Sequence, residues 1–214
     1  AYWGPPEKMA VWRPSFALTA LRPGSEVAAE ASAALAATSI LFRKEDPAYA
    51  NLALDHARRL FDFADHHRGV YSDSIPQAAE FYKSWSGYHD ELLWAAVWLY
   101  RATGEMPYLV KAEGLFNRHF AGAPMRWTHD WDNKNYGAAI LLARATGKET
   151  PRRAVENWLD HWVHGGVRRT PGGLAWLSQW GSLRYAATTA FLAFVYADTI
   201  RDHGTRYRDF ARSQ

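Results

Sequence analysis

The 214-residue chain contains no cysteine, which excludes disulfides and thiolate metal ligands. It also lacks a block of charge. Its 25 Lys and Arg against 22 Asp and Glu leave a formal net charge of +3. The basic residues fall in scattered pairs, Arg58–Arg59, Arg152–Arg153 and Arg168–Arg169, so no nucleic-acid partner is expected. No apolar run reaches the roughly 18 residues that span a bilayer, and no membrane partner is expected. The opening AYWGPPEKMA lacks the basic-then-apolar order of an export signal. Histidines are present without HExxH or comparable spacing, so no zinc site is expected. Alternating period-2 runs bounded by turn residues are scarce, which argues against a β-sheet domain.

Aromatic residues and helical periodicity are plentiful. The chain carries 11 Trp, 11 Tyr and 10 Phe, and hydrophobic residues make up 48% of it, enough for one compact domain. Apolar residues recur at helical spacing over about 25–42, 47–67, 87–103, 106–121, 132–147, 151–164, 180–202 and 204–212, which predicts an all-α fold of eight helices. Gly104 and Gly147 stand where left-handed C-cap residues belong, and Pro47, Pro107 and Pro151 stand near first turns. Arg101-Ala102-Thr103-Gly104 returns as Arg144-Ala145-Thr146-Gly147, so the repeating unit is a helical hairpin. A series of such hairpins makes a solenoid or a closed α/α toroid. The long segments 1–24, 68–86, 122–131 and 165–179 fall on alternate connections and should gather at one end, where sites are usually built.

Three constellations carry chemistry. The first runs from Phe81 to Glu91, FYKSWSGYHDE, out of a long loop into an apolar helix. Asp90 and Glu91 there suit the positive end of the helix dipole, an ordinary role. With carbonyls of Ser86 and Gly87 they also suit the all-oxygen ligand set of calcium. The second runs from Arg126 to Lys134, RWTHDWDNK; Asp132 could cap a helix, and two Trp in a polar loop point to a ligand for Trp127 or Trp131. The third runs from Thr170 to Tyr185, where Pro171-Gly172-Gly173 is a turn without the lysine and spacing of a phosphate loop. Trp180 and Tyr185 after it either fill the bundle or present flat faces on which sugar rings pack. Carboxylates close in sequence, Asp90 with Glu91 and Asp130 with Asp132, seldom straddle a glycosidic bond at the about 6.5–9.5 Å of an inverting pair, so none is assigned as acid or base.

The strings SGYHDELLWAAVWLYRATG, WDNKNYGAAILLARATG and TPGGLAWLSQWGSLRYAATTAFLAFVYAD, in that order, resemble glycoside hydrolase family 9. So does the opening YWGPPEKM with RPGSEVAAEASAALAATSILF, and the likeness covers about residues 2–200. The resemblance implies an (α/α)6 barrel, of which about eight of twelve helices are present, with both ends truncated. It implies a cleft for a β-1,4-glucan chain and inverting hydrolysis of internal bonds. It implies aromatic subsites at Trp3, Phe81, Tyr82, Trp85, Trp127, Trp180 and Tyr185, with Tyr82 near the scissile bond. A structural Ca2+ is implied at Ser86, Gly87, Asp90, Glu91 and Asp132. The family's activating Asp and proton-donating Glu lie upstream and downstream of the matching segments, so no catalytic residue is expected here and the isolated chain is expected to be inactive. Secretion and a monomeric state are also expected. A non-catalytic glycan-binding or scaffold role is the alternative.

Overall fold

The structure is a computed structural model and describes residues 4–199 and 205–214. A short 3-10 turn, Pro6–Lys8, precedes α1 (Ser25–Phe42), α2 (Pro47–His66), α3 (Tyr71–Ser74), α4 (Pro76–Tyr82) and α5 (His89–Thr103). There follow α6 (Met106–His119), α7 (Asn135–Thr146), α8 (Glu149–Val163), the strands β1 (Arg168–Arg169) and β2 (Ala175–Trp176), α9 (Ser182–Thr199) and α10 (Arg206–Ser213). The eight expected helices are all present. The predicted ends at 200–202 and 204 lie outside the described residues, as does Trp3.

The helices pack in hairpins, α1 with α2, α5 with α6, α7 with α8 and α9 with α10, and successive hairpins join through α1, α5, α7 and α9. Those four form one layer of an arc and their partners the other. Burial follows from the sequences. On α8, Pro151, Val155, Trp158, Leu159 and Trp162 form a single buried stripe at helical spacing, so this helix has a wet face. On α7, every residue from Asn135 to Ala143 is buried, as expected of a helix covered on all sides.

Helix α1 buries small residues, Ala28, Ala29, Ser32, Ala33 and Ala36, which lets α2 approach closely. Its hydroxyls then reach the neighbour's backbone: Ser25 Oγ donates to Ala64 O at 2.9 Å and Ser32 Oγ to Ala57 O at 2.7 Å. By length and composition alone α1 could cross a membrane, which corrects the expectation that no stretch would qualify. Its alanines raise its hydropathy because they serve close helix packing in the core.

The punctuation behaves as expected. Gly104 and Gly147 have φ of 74° and 64°, the left-handed region open to glycine, and their amides close α5 and α7 on Tyr100 O and Ala143 O. Pro47 opens α2, where the Asp46 side chain accepts from Tyr49 N at 2.9 Å.

Two expectations need correction. Segment 68–86 is not a plain loop, since it holds α3 and α4; α4 buries no residue, so it left no periodic stripe to read. Segment 165–179 folds as a small antiparallel hairpin pairing Arg168 with Trp176 and Arg169 with Ala175 around the predicted Pro-Gly-Gly turn. The connections 68–86, 122–131 and 165–179 enter α5, α7 and α9 at their N-terminal ends, so they share one end of the arc.

Candidate functional site

At that end the three connections enclose an open cavity of about 880 Å3 lined by Phe81, Tyr82, Trp85, Trp127, Asp130, Trp131, Asp132, Trp180, Arg184 and Tyr185. Six of the seven residues expected as aromatic subsites are brought together here, the seventh being Trp3. Trp131, Asp130 and Arg184 join them; Trp131 was singled out in the sequence only as an alternative to Trp127. Phe81, Tyr82, Trp85 and Trp180 are mostly exposed, with Trp180 at 81%. Large apolar rings left open beside a cavity are not core, and such a surface is where ligands commonly bind. Tyr185 differs, being only 6% exposed, and its ring meets Trp127 edge-on at 5.1 Å between centroids. It therefore fills the bundle and lines the cavity at once. Tyr82 meets Trp131 in the same edge-on way at 5.7 Å.

A second cavity, about 730 Å3, lies among Arg126, Glu149, Arg153, Asn157 and His161, and its only aromatic carbocycle, Trp158, is fully buried. It offers no open ring for a sugar to stack on.

The loop carrying Trp127 is tied to three helices. Trp127 N donates to Tyr136 Oη at 2.7 Å, Trp158 Nε1 donates to Trp127 O at 2.9 Å, and the buried Thr128 and Thr189 hydroxyls pair at 2.6 Å. His129 Nδ1 accepts from Gly137 N at 3.3 Å, with its ring 5.2 Å from that of Trp94. Burial, followed by the charge of Lys134, pulls the His129 imidazole down to about 4, so it stays neutral at ordinary pH. Lys134, itself buried, donates Nζ to the carbonyls of Asp130 at 2.6 Å and Trp131 at 2.7 Å and pairs with Glu30 of α1 at 2.5 Å. No pattern in the sequence distinguishes Lys134.

Of the five expected calcium ligands, Ser86, Asp90 and Asp132 are linked in one hydrogen-bond network. Asp132 Oδ1 accepts from Trp85 N at 2.9 Å and Oδ2 from Ser86 N at 3.0 Å, while Ser86 Oγ donates to Asp132 O. Asp132 thus bridges two loops; the residue that precedes α7 is Lys134, whose amide donates to Asp90 Oδ2 at 2.7 Å. Ser86 Oγ also lies 3.3 Å from Asp90 Oδ2. Gly87 has φ of 82°, a conformation that turns the chain sharply before α5. Asp90 and Glu91 are almost fully buried. Burial, foremost, pushes both carboxyl groups well above the carboxylate range, with the neighbouring Asp90 charge raising Glu91 further.

Glu91 Oε2 is buried without a hydrogen-bond partner, as is Glu26 Oε2. Both residues line a cavity of about 120 Å3 together with Glu30, Tyr71, Trp131 and Asp132. Among the described residues no three His, Asp or Glu side chains are clustered closely enough to hold an ion by themselves. The chemistry nevertheless fits a hard cation: adjacent buried carboxyl groups, an unpartnered carboxyl oxygen, and nearby carbonyl and hydroxyl oxygens to complete an oxygen shell.

Comparison with known proteins agrees with this geometry. The model of glycosyl hydrolase family 9 matches residues 1–214. Endoglucanase B of Cellulomonas fimi is 46% identical over 100% of this chain, which covers 21% of that protein. The endoglucanase of the termite Nasutitermes takasagoensis superposes with a TM-score of 0.92 and 42% identity over 99% of this chain and 48% of the other. Endoglucanase CelQ from Clostridium thermocellum, solved in complex with cellotetraose, superposes with a TM-score of 0.80 and 44% identity over 89% of this chain and 32% of the other. The chain thus spans between about a fifth and a half of these relatives, and its hairpin arc is part of their α/α barrel. On the full-length family match and these superpositions, the chain belongs to glycosyl hydrolase family 9.

Proposed function

We propose that the protein carrying this chain hydrolyses internal β-1,4 bonds of cellulose or a related β-glucan, and that this chain supplies the aromatic face of the cleft and a calcium-braced wall. The group of open rings, Phe81, Tyr82, Trp85, Trp127, Trp131 and Trp180, around one cavity carries the reading. Successive sugar rings present C–H faces that pack on such rings, and a polymer engages several of them at once. The cellotetraose complex of the similar CelQ endoglucanase supports the same ligand class.

In inverting hydrolysis one carboxylate activates water while a second group protonates the leaving oxygen. The carboxylates facing the cleft here are otherwise engaged. Asp130 accepts from donors of its own loop and Asp132 from Trp85 N and Ser86 N of the opposite connection, so both carboxylates are occupied in holding the loops. The acid and base are therefore assigned to parts of the protein outside this chain. Within it, the rings bind and orient the glucan, and the buried wall keeps the two aromatic loops in register.

Ca2+ bound by Asp90, Glu91, Asp132 and the oxygens of Ser86 and Gly87 would supply positive charge to a site where burial disfavours two carboxylates. The support for it is the unpartnered Glu91 oxygen and the all-oxygen surroundings. An insoluble glucan cannot enter a cell, so the reading carries secretion with it. Glycan binding without hydrolysis is the alternative, since it needs only the aromatic loops.

Calorimetric titration of cellotetraose against the full-length protein tests the reading. Trp127→Ala and Trp180→Ala should each weaken binding by about tenfold, the loss of roughly 1.4 kcal/mol of stacking. Unchanged affinity in both would refute the cleft.

A further inference from the structure

Asp130 lines the cleft, yet both oxygens of its carboxylate are bonded to donors of the protein. Oδ2 accepts from Trp127 Nε1 at 2.8 Å, while Oδ1 accepts from Asp132 N at 3.0 Å and Asn133 N at 2.9 Å. Its own main chain is held as well, with the amide donating to Asn133 O at 3.0 Å and the carbonyl accepting from Lys134 Nζ at 2.6 Å.

Trp127 poses the complementary problem. Its amide and carbonyl are fixed by Tyr136 and Trp158, which set the backbone and leave the side-chain torsions undetermined. Tyr185 meets the ring edge-on, and 38% of the residue remains exposed. A partly exposed indole is not confined to one rotamer by packing alone. The bond to Asp130 selects one.

We propose that Asp130 is a positioning residue that holds Trp127 as a preformed sugar platform, an inference that rests on the glucan cleft assigned above. The indole N–H is already engaged, so Trp127 offers a glucan its ring face and not a hydrogen-bond donor. The same carboxylate closes the 130–133 turn that aims Asp132 at Trp85 N and Ser86 N. One side chain thereby sets the platform and its distance from the opposite loop. Immobilising a free ring upon binding would cost affinity, and prior fixation removes that cost, between about twofold and tenfold for one side chain.

Asp130→Asn separates the two duties. The amide oxygen is held by the two turn amides, so the turn persists and the new NH2 group faces the indole N–H, donor against donor. The alternative flip would set that NH2 group against two amides and is worse. Trp127→Phe removes the bond from the other partner and leaves the turn intact. Cellotetraose affinity would be measured by titration calorimetry for the full-length protein, both single variants, the double variant and Trp127→Ala.

Asp130→Asn should weaken binding between about twofold and tenfold, and should add nothing in the Trp127→Phe background, because the bond it removes is already absent. In steady-state hydrolysis the same loss should fall on KM and leave kcat within about twofold. Equal losses in both backgrounds would overturn the proposal, since Asp130 would then act through the turn. So would a loss confined to kcat, or an unchanged Asp130→Asn affinity where Trp127→Ala weakens binding. If Trp127→Ala itself leaves affinity unchanged, the platform is refuted, and the cleft reading falls with it only where Trp180→Ala is also without effect.

Discussion

Gly137→Ala is the substitution for which general expectation and this structure disagree in sign. Gly137 lies inside α7, and replacing glycine by alanine within a helix ordinarily stabilises by about 1 kcal/mol. Here an added Cβ would stand 2.9 Å from His129 Nδ1, 3.0 Å from His129 Cε1 and 3.0 Å from Trp94 Cζ3. Both obstacles are rings. Trp94 packs against the core and His129 is held by Gly137 N itself, so neither is the loose end of a flexible chain. Forcing a methyl group into such a contact costs about 1–3 kcal/mol, and displacing His129 lengthens the bond from Gly137 N by about the added crowding.

The net expectation is a destabilisation of about 1 kcal/mol or more, with His129 pushed outward. Because His129 sits between Thr128 and Asp130, the displacement should reach the Trp127 platform and weaken cellotetraose binding as well. Urea titration of the full-length protein and its Gly137→Ala variant measures the first effect, and calorimetric titration the second. A variant as stable as the parent or more so would refute the packing argument, whatever its affinity.

Three further outcomes follow from the same contacts. Ser32→Ala removes the buried hydroxyl that bonds α1 to Ala57 O and should lower stability by about 1 kcal/mol in urea titration. His129 has its folded value lowered to about 4 from an ordinary 6.5, so the unfolded chain takes up the proton first as pH falls. Its contribution is present above about 6.5 and is lost progressively toward 4. His129→Asn, which retains an acceptor for Gly137 N, should show a shallower fall in stability across that window by urea titration at several pH values. Removing Ca2+ with a chelator should lower the thermal midpoint, because a ligand that binds only the folded state raises stability, and Asp90→Asn should diminish that difference. A midpoint indifferent to chelator would count against the calcium wall.

What the sequence made legible was the part of the structure written at short range. Helices of 12 to 20 residues leave buried stripes, as Val155, Trp158, Leu159 and Trp162 do on α8, and their ends leave glycine and proline, as Gly104 and Pro47 do. Helix α4 has seven residues and no buried one, so it left no stripe, and two-residue strands are too short to alternate. The aromatic loops could be recognised because Trp in polar surroundings has no place in a core pattern. The supports of those loops could not. Glu26 accepts from Tyr71 N 45 positions away, and Lys134 reaches back to Glu30, contacts between residues that have no sequence signature of their own. Asp130 stands in the sequence only beside Asp132 as a carboxylate pair, and no spacing indicates its bond to the indole of Trp127.

The most direct test is a crystal structure of the full-length protein with cellotetraose. The glucan is predicted to lie along the cavity between the 68–86, 122–131 and 165–179 connections, with sugar rings against the faces of Trp127 and Trp180 and with Trp127 Nε1 still bonded to Asp130. Cellotetraose bound elsewhere, with these rings left bare to solvent, would contradict the account.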